Sequence, residues 1–311
     1  MAERMPMLPA LRAFEAVARL GSVRAAAAEL HVTPAAVSQQ VKALEADLGL
    51  QLIRRRGNAL ELTAPAQAGS ETLSAGFRLM AEAVRRIRDH QARPQIRLSI
   101  DPTLAASWLI ARLPRYRALS GSVDLLLDAN RAYADFGRDR IDAAIRFGIG
   151  RFPGLDVHFL LAEELFPVCS PKLLQGSHTL KRPADLRHHT LLHNDWSSRQ
   201  GKWPNWQDWL DAAGATGVDS KGGLHFNDGL VVLEAALDGQ GVYLANTTAV
   251  QDLIAAGKLV APFPVRVRSD LGYYFVCPEH AAGRREIATL RDWLLGEAAA
   301  DRAAGQGAGR V

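Results

Sequence analysis

Residues 22–62 constrain the fold of this chain more than any other stretch. They run SVRAAAAELHVTPAAVSQQVKALEADLGLQLIRRRGNALEL and predict two short helices, a tight turn between them and a basic hairpin. Thr33-Pro34 suits the N-cap and first position of the second helix, because proline's missing N–H is not needed there. The periodicity of this helix predicts one inward, apolar face. That face consists of Val37, Val41, Leu44 and Leu48.

The outward face of the second helix is small and polar, as entry into the major groove of DNA requires. Gln39 can pair bidentately with adenine, and Ser38 can bind a phosphate oxygen. The three arginines of the hairpin suit a wing along the DNA backbone or in the minor groove. Taken alone, the polar helix face or the arginine hairpin could be the solvated surface of an ordinary helical domain. Together and in this order, they favour nucleic-acid binding. The predicted DNA-contacting residues are Arg24, Thr33, Pro34, Ala35, Ser38, Gln39, Lys42, Arg54, Arg55 and Arg56.

The distribution of charge agrees with this interpretation. Residues 1–93 contain 13 Lys and Arg against 9 Asp and Glu, whereas the rest of the 311-residue chain has 24 of each. The whole net charge of +4 therefore lies in the N-terminal segment. Such asymmetry is expected when only one domain meets a polyanion. A surplus of four positive charges would not by itself indicate nucleic-acid binding.

Residues 65–93 predict one long helix with a heptad seam. The seam residues are spaced 4, 3, 4 and 3, which is the repeat of a helix that pairs with another helix. A helix packed on its own domain is the alternative, but the length and the flanking arginines favour a partner helix. The predicted seam is Leu73, Phe77, Met80, Val84 and Ile87.

From residue 95 the pattern alternates between strands and helices, which predicts an α/β fold with mostly parallel sheets. One helix is expected from Asp101-Pro102-Thr103 to Leu113, and another from Asn227-Asp228 to Leu237. The order looks duplicated and predicts two lobes, whereas the Ala- and Gly-rich tail from Gly296 predicts a flexible end. The predicted strands are 95–100, 123–127, 141–147, 155–161, 165–169, 242–244 and 273–276.

A ligand of two α/β lobes is expected at the carboxyl ends of strands and at helix N-termini. Thr103 offers a hydroxyl for a carboxylate or phosphate. Arg146 could bind a charge or form a structural ion pair, and Asp228 could bind an ammonium group or only cap its helix. A small carboxylate such as an amino acid is the favoured effector. The predicted effector-binding residues are Thr103, Leu104, Arg146, Phe147, Gly148, His193, Asn194, Phe226, Asp228, Gly241 and Val242.

Other chemistry-bearing residues favour structural roles. His188, His189 and His193 lack metal-ligand spacing, and Trp203, Trp206 and Trp209 suit a packing helix better than base stacking. No nucleophile–base pair or phosphate-binding glycine motif follows a strand, so we predict neither an enzyme nor a cofactor or metal.

The sequence also predicts the compartment. The two cysteines, Cys169 and Cys277, are far apart and are predicted to be reduced core residues. No apolar run reaches membrane-spanning length, and the N-terminus lacks the pattern of a signal peptide. A cytoplasmic protein without membrane contact is expected.

Residues 8–66 resemble the winged helix-turn-helix of LysR-type transcriptional regulators. The segments that carry this resemblance are LRAFEAVARLGS (11–22), AAAAELHVTPAAVSQQVKALEADLG (25–49) and Leu52 to LELT at 60–63. Later segments are similar to the periplasmic-binding-protein-like effector domain of the branch that contains the glycine-cleavage activator and the β-lactamase regulator. These are IDAAIRFG (141–148), FPVCSPKLL (166–174), TLLHNDW (190–196), WPNWQDWLDAAG (203–214), FNDGLVVLEAALDGQGVYL (226–244) and AAGKLVAPF (255–263).

The resemblance implies a ligand-responsive regulator that forms a homodimer or homotetramer and binds a partly palindromic promoter site on double-stranded DNA. The resemblance also makes RNA polymerase a possible partner. It implies a winged helix-turn-helix at 1–64, a dimerisation linker helix at 65–93 and a two-lobed effector domain at 94–296. Lobe I would take 95–165 and 267–295, lobe II 166–266, and the tail 297–311. The alternatives are an effector-independent DNA binder and a small-molecule binding protein or enzyme that carries a DNA-binding module.

Overall fold

The computed structural model describes residues 7–56, 59–88, 95–121, 123–131, 136, 139–175, 178–195 and 203–308. The side chains of Arg55, Arg56 and Ala59, of four residues near the end of the long helix and of 304–308 lie outside this description. The chain divides into two compact units, Met1–Ala92 and Arg93–Val311, and we describe each by itself. In the described ranges, no helix has the length and apolarity needed to cross a bilayer.

The N-terminal unit is a helical domain with a two-stranded hairpin and a long last helix. Local signals define its helices: Ser22 and Thr33 accept hydrogen bonds from the backbone N–H groups of Ala25 and Ala36, and Gly21 and Gly49 end two helices at φ 65°. The elements are α1 (Leu8–Leu20), α2 (Val23–Leu30), α3 (Pro34–Leu48), β1 (Ile53–Arg56), β2 (Ala59–Leu62) and α4 (Ala64–Arg88).

The core of this unit lies between α1, α2 and α3. Phe14 and Val17 of α1 and Val37 of α3 pack around Ala26 and Ala27, which are almost fully buried. The prediction for Leu48 was wrong, since its side chain is 44% exposed. Leu48 is the last residue of α3, and the left-handed backbone of Gly49 turns the chain away directly after it.

The C-terminal unit contains one mixed eight-stranded sheet in the order β4-β3-β5-β10-β6-β9-β7-β8. Its strands are β3 (Gln95–Ile100), β4 (Asp124–Ala129), β5 (Ala143–Gly148), β6 (Leu155–Val168), β7 (Leu191–Asn194), β8 (Leu224–Phe226), β9 (Val242–Asn246) and β10 (Val267–Pro278). Its helices are α5 (Pro102–Leu104), α6 (Leu113–Ser120), α7 (Trp206–Ala212), α8 (Gly229–Asp238), α9 (Thr247–Ala255) and α10 (Arg285–Ala308).

Two long strands join the lobes of this unit. Within each lobe the pairs β3/β4, β3/β5, β7/β8 and β7/β9 are parallel, whereas β10 and β6 pair antiparallel with each other and with their neighbours. The prediction of separate strands at 155–161 and 165–169 was wrong, because β6 is continuous and pairs with β10 and then with β9. The predicted lobe boundary at 165/166 therefore falls inside a strand.

Two further predictions also need correction, one of a single helix and one of a flexible tail. The segment after Asp101 is α5, a π-helical turn (Ala105–Leu109), a 3₁₀ turn (Ile110–Arg112) and then α6, instead of one helix. The predicted flexible tail at 297–311 is helical to Ala308, and 309–311 lie outside the described residues. The tail is ordered because Ala298 is fully buried and Asp301 binds Arg112.

Candidate nucleic-acid interface and ligand cleft

The N-terminal half of α3 presents the face that the sequence predicts for DNA contact. Thr33, Pro34, Ala35, Gln39 and Lys42 are exposed, as is Arg24 on α2, and Ser38 is half-buried. The Ser38 hydroxyl donates to the Pro34 carbonyl at 2.9 Å, and the Thr33 hydroxyl accepts from the Ala36 N–H at 3.2 Å. The opposite face is anchored in the core by Val37, Val41 and Leu44. The packing therefore fixes which side of α3 stays open.

The hairpin β1–β2 is attached to α3 by a carboxylate that sequence reasoning missed. Glu45 accepts hydrogen bonds from the backbone N–H groups of Leu52 and Ile53 at 2.8 and 3.1 Å. Arg54 is exposed and lies 3.3 Å from Glu61, its partner across the hairpin. Arg55 and Arg56 belong to β1, but their side chains lie outside the described residues. A positioned wing next to the exposed face of α3 is a geometry that duplex DNA fits.

The predicted seam on α4 divides into a packed part and an exposed part. Leu73 packs against the core of the N-terminal unit, and Phe77 is half-buried. Met80 and Val84 are 42% and 47% exposed, and Ile87 is 76% exposed. An apolar stripe that continues beyond its own domain's core is typical of a helix that pairs with another helix.

In the C-terminal unit, α5 and α8 meet across the gap between the lobes. The Thr103 hydroxyl lies against Gly229, where a Cβ atom would be 2.6 Å from the Thr103 oxygen, so the glycine allows the approach. Phe147, at the end of β5, makes an edge contact with Trp203 of the other lobe at 5.1 Å. We call this gap, between the N-termini of α5 and α8, the interlobe cleft.

A buried carboxyl between β6 and α9 is a second group that sequence reasoning missed. Glu163 of β6 is 1% exposed and accepts hydrogen bonds from the N–H and hydroxyl of Thr248, in the first turn of α9. Burial raises the pKa of Glu163 to about 7. Burial, with Glu163 and Asp101 nearby, also raises the pKa of Tyr273 well above its usual value. A polar residue inside an apolar strand was the only sequence signal for this site.

The structure places the other predicted effector-binding residues in different surroundings. The buried Arg146 donates to Ser99 at 2.8 Å, and Asp228 caps α8 through the N–H groups of Leu230 and Val231. The amide of Asn194 forms a hydrogen bond with Tyr243, and its Oδ1 atom is buried without a partner of its own in the described part of the chain. His193 stacks on His225 at 4.2 Å.

Four predicted positions pack into the lobes themselves. Leu104 and Val242 are almost fully buried in the two lobe cores, Gly148 is buried in β5, and Phe226 packs on lobe II. A Cβ atom at Gly241 would lie 2.3 Å from the Thr190 carbonyl oxygen, so this glycine is required by packing. We therefore leave Gly241 and the side chain of Val242 out of the site that we propose.

The predictions for tryptophan and cysteine can be compared directly with the packing. Trp206 and Trp209 are buried and donate to the carbonyls of Leu192 and Val265, which confirms the prediction of a packing helix. Trp203 is partly buried against the same core and also contacts Phe147 of the other lobe. Cys169 and Cys277 are buried, and burial raises the pKa of both thiols to about 11.

Comparisons with known proteins agree with this architecture along nearly the whole chain. Residues 8–67 match the family described as bacterial regulatory helix-turn-helix protein, lysR family. Residues 89–299 match the LysR substrate binding domain family. The chain is 41% identical over 302 residues to the glycine cleavage system transcriptional activator of Escherichia coli strain K12, with 97% of each chain covered. It is 34% identical to the transcriptional activator AmpR of Rhodobacter capsulatus, over 94% of this chain and 99% of the relative.

Solved structures share the fold. The effector domain of AmpR from Pseudomonas aeruginosa is 29% identical with a TM-score of 0.56, and the match covers 68% of this chain and 98% of that domain. ArgP from Mycobacterium tuberculosis shares the fold with a TM-score of 0.58 and 24% identity, over 94% of this chain and 98% of that chain. The fold and these matches define a ligand-responsive, DNA-binding transcriptional regulator. The chain belongs to the LysR family of these regulators.

Proposed function

We propose that α3 enters the major groove and that Gln39 reads a base there. One observation carries this proposal: the first two turns of α3 are exposed on a single polar face while the opposite face is fixed in the core. Gln39 can pair bidentately with adenine, and Thr33, Ser38, Lys42 and Arg24 are placed to contact phosphate or sugar. Pro34 and Ala35 are small enough to allow the helix end to approach the bases.

The wing supplies contacts that do not depend on sequence. Arg54, Arg55 and Arg56 bind the DNA backbone or the adjacent minor groove, and the bonds from Glu45 hold the wing in place. These arginines contribute mainly to affinity and to its dependence on salt.

A homodimer forms through α4. Its exposed apolar residues Met80, Val84 and Ile87 pair with the same residues of a second copy, which presents two recognition helices to a partly palindromic promoter site. Val84→Glu is expected to shift the protein to the monomer in analytical ultracentrifugation. The control Arg78→Ala, away from the seam on the same helix, should keep the assembly of the wild type. Two such dimers can associate as a tetramer.

The effector is a small carboxylate, an amino acid among them, bound in the interlobe cleft. The Thr103 hydroxyl, which lies against Gly229 in the cleft, can donate a hydrogen bond to the carboxylate. The amide of Asn194, which is hydrogen-bonded to Tyr243 at the end of β7, can offer its oxygen to a ligand N–H or O–H group. A solved relative, the regulator LysG from Corynebacterium glutamicum, is described with bound effector Arg, which is consistent with a ligand of this size.

The chain acts as a regulator and does not turn over its ligand. Its relatives are transcriptional regulators, and the cleft residues that we assign suit binding. It works in the cytoplasm, where it reaches the chromosome and RNA polymerase. Two alternatives make different predictions: an effector-independent DNA binder would show no thermal shift with any metabolite, and an enzyme would consume one.

DNase footprinting and gel shifts on the DNA upstream of this gene test the proposal. The wild type is expected to protect a partly palindromic site and to prefer it over scrambled DNA. Changing the three wing arginines to alanine should weaken binding to both DNAs and lower the salt slope by up to about 3, since each phosphate contact adds about 0.9. Equal binding to both DNAs, with a slope that the arginine changes leave unaltered, would exclude base reading at this site.

A further inference from the structure

One arginine spans the mouth of the interlobe cleft. The Arg131 guanidinium lies 3.0 Å from Asp228 Oδ2 of lobe II and 3.8 Å from Asp101 Oδ2 of lobe I. It also donates to the backbone carbonyl of Asn227. A single side chain of lobe I therefore contacts both lobes where α5 and α8 begin.

The two aspartates each use their two oxygens differently. Oδ1 of Asp101 accepts from the N–H of Thr103 at 2.8 Å, and Oδ1 of Asp228 accepts from the N–H of Leu230 at 2.8 Å. Oδ2 of each carboxylate faces Arg131. Helix capping and interlobe contact are thus carried by different atoms, and a substitution can separate them.

We propose that Arg131 is a positioning residue that holds the two lobes together by bridging the N-cap aspartates of α5 and α8. We call Arg131, Asp101 and Asp228 the clasp. The effect of the clasp on ligand affinity rests on the effector cleft proposed above, whereas its effect on the distance between the lobes does not.

The exposure of the clasp suits a contact that forms and breaks. The Arg131 side chain is 32% exposed, and those of Asp101 and Asp228 are 27% and 38% exposed. Charge pairs at such sites are weak and are screened by salt, so their loss changes the ratio of open to closed lobes without unfolding the domain. With the clasp formed, Thr103 stays against Gly229.

Electron-spin distance measurements between the lobes of the full-length protein test the proposal. Nitroxides at Arg117→Cys on α6 and Glu234→Cys on α8 report the distance, since both positions are exposed. The native cysteines are buried with thiol pKa values raised to about 11, so they react slowly with the label. Mixing labelled with excess unlabelled protein removes distances between copies.

Three variants separate the clasp from helix capping. Arg131→Gln removes the charge, Asp228→Asn keeps a good N-cap but turns an amide towards the guanidinium, and Arg131→Lys keeps the charge. Arg131→Gln and Asp228→Asn should each raise the population at long distance about fivefold, and the double variant should do no more. Arg131→Lys should recover most of the wild-type distribution. Circular dichroism of Asp228→Asn checks that α8 remains folded.

A matched control is the exposed pair Arg182–Asp185, which lies within one segment of lobe II. Arg182→Gln should leave the distance distribution as in the wild type. The proposal is overturned if Arg131→Gln and Asp228→Asn both keep the wild-type distances. It is also overturned if Asp228→Asn lengthens the distance and Arg131→Gln does not, because Arg131→Gln removes the same ion pair together with the contact to the Asn227 carbonyl.

Discussion

Two arginines of lobe I each bind aspartates in distant parts of the C-terminal unit, yet their surroundings differ. Arg131, at the mouth of the cleft, is 32% exposed, whereas Arg112, between the π-helical segment and α10, is 7% exposed. Arg112 binds both oxygens of Asp301 at 2.8 and 2.9 Å, Asp252 of α9 at 3.2 Å, and the carbonyl of Trp108. Asp301 lies on α10, which packs in the core of lobe I, and is 23% exposed, whereas Asp252 of lobe II is 46% exposed. Similar chemical groups therefore make a shielded contact within lobe I and an open contact at the mouth of the cleft.

The difference teaches that burial, more than the type of ion pair, decides whether a contact is fixed or can open. Breaking a buried pair leaves a charge without water, so the contact is expected to be permanent. An exposed pair can open because water replaces the lost partner at little cost. We therefore interpret the Arg112–Asp301 contact as a fixed joint between the helical segment after α5 and α10, and the clasp as the part that moves.

Arg112→Ala is expected to have the largest effect, and it tests directly whether the buried ion pair is a fixed contact. We expect a loss of about 3 kcal/mol in unfolding free energy of the full chain, because Asp301 and the Trp108 carbonyl lose their buried partner. Urea unfolding followed by circular dichroism measures the change. Arg182→Ala, which removes an exposed pair, should cost less than about 1 kcal/mol. Equal losses for the two variants would contradict the assigned role of burial.

Glu163 extends the comparison to a carboxyl that is fully buried between β6 and α9. Burial raises the pKa of Glu163 from 4.5 to about 7. The folded chain therefore holds this proton more tightly than the unfolded chain. The resulting contribution to the unfolding free energy is fully present below pH 4.5 and is lost as the pH rises through 7. From pH 5 to pH 8 the wild type should lose on the order of 2 kcal/mol more unfolding free energy than Glu163→Gln. If the unfolding free energies of the two proteins change with pH in parallel, Glu163 does not titrate in this range.

The smallest effect is expected from the clasp itself. Arg131→Gln should change the unfolding free energy by less than about 1 kcal/mol, since its pairs are partly exposed. Raising the salt concentration to about 1 M, where the Debye length is about 3 Å, should lengthen the interlobe distance of the wild type. A stability loss as large as that of Arg112→Ala would place the clasp among the fixed contacts.

Local signals in the sequence predicted most of the N-terminal unit. Thr33-Pro34 begins α3 and Asn227-Asp228 begins α8, because capping depends only on neighbouring residues. The exposed face of α3 follows from the period of the apolar residues beneath it. The seam on α4 was predicted in the same way, and its exposed part agrees with that pattern.

Contacts between distant residues could not be predicted in this way. Glu163 and Glu164 interrupt an apolar run, so β6 was predicted as two strands, although Glu163 is buried because Thr248 of α9 binds it. The last turns of α10 were predicted as flexible from their Ala and Gly content, and Asp301 is held there by a residue far away in the chain. The partners of Arg131 are likewise brought near it only by the fold.

The base preference of Gln39→Ala is the measurement that matters most for the assignment of α3. Competition binding would compare the footprinted site with variants changed at each base pair, using Gln40→Ala, half-buried on the same helix, as the control. We predict that Gln39→Ala loses about tenfold discrimination at one base pair in each half-site, because a bidentate pair supplies about 1–3 kcal/mol. Gln40→Ala should discriminate as the wild type does. Full discrimination by Gln39→Ala would contradict the assignment of α3 as the helix that reads DNA through this residue.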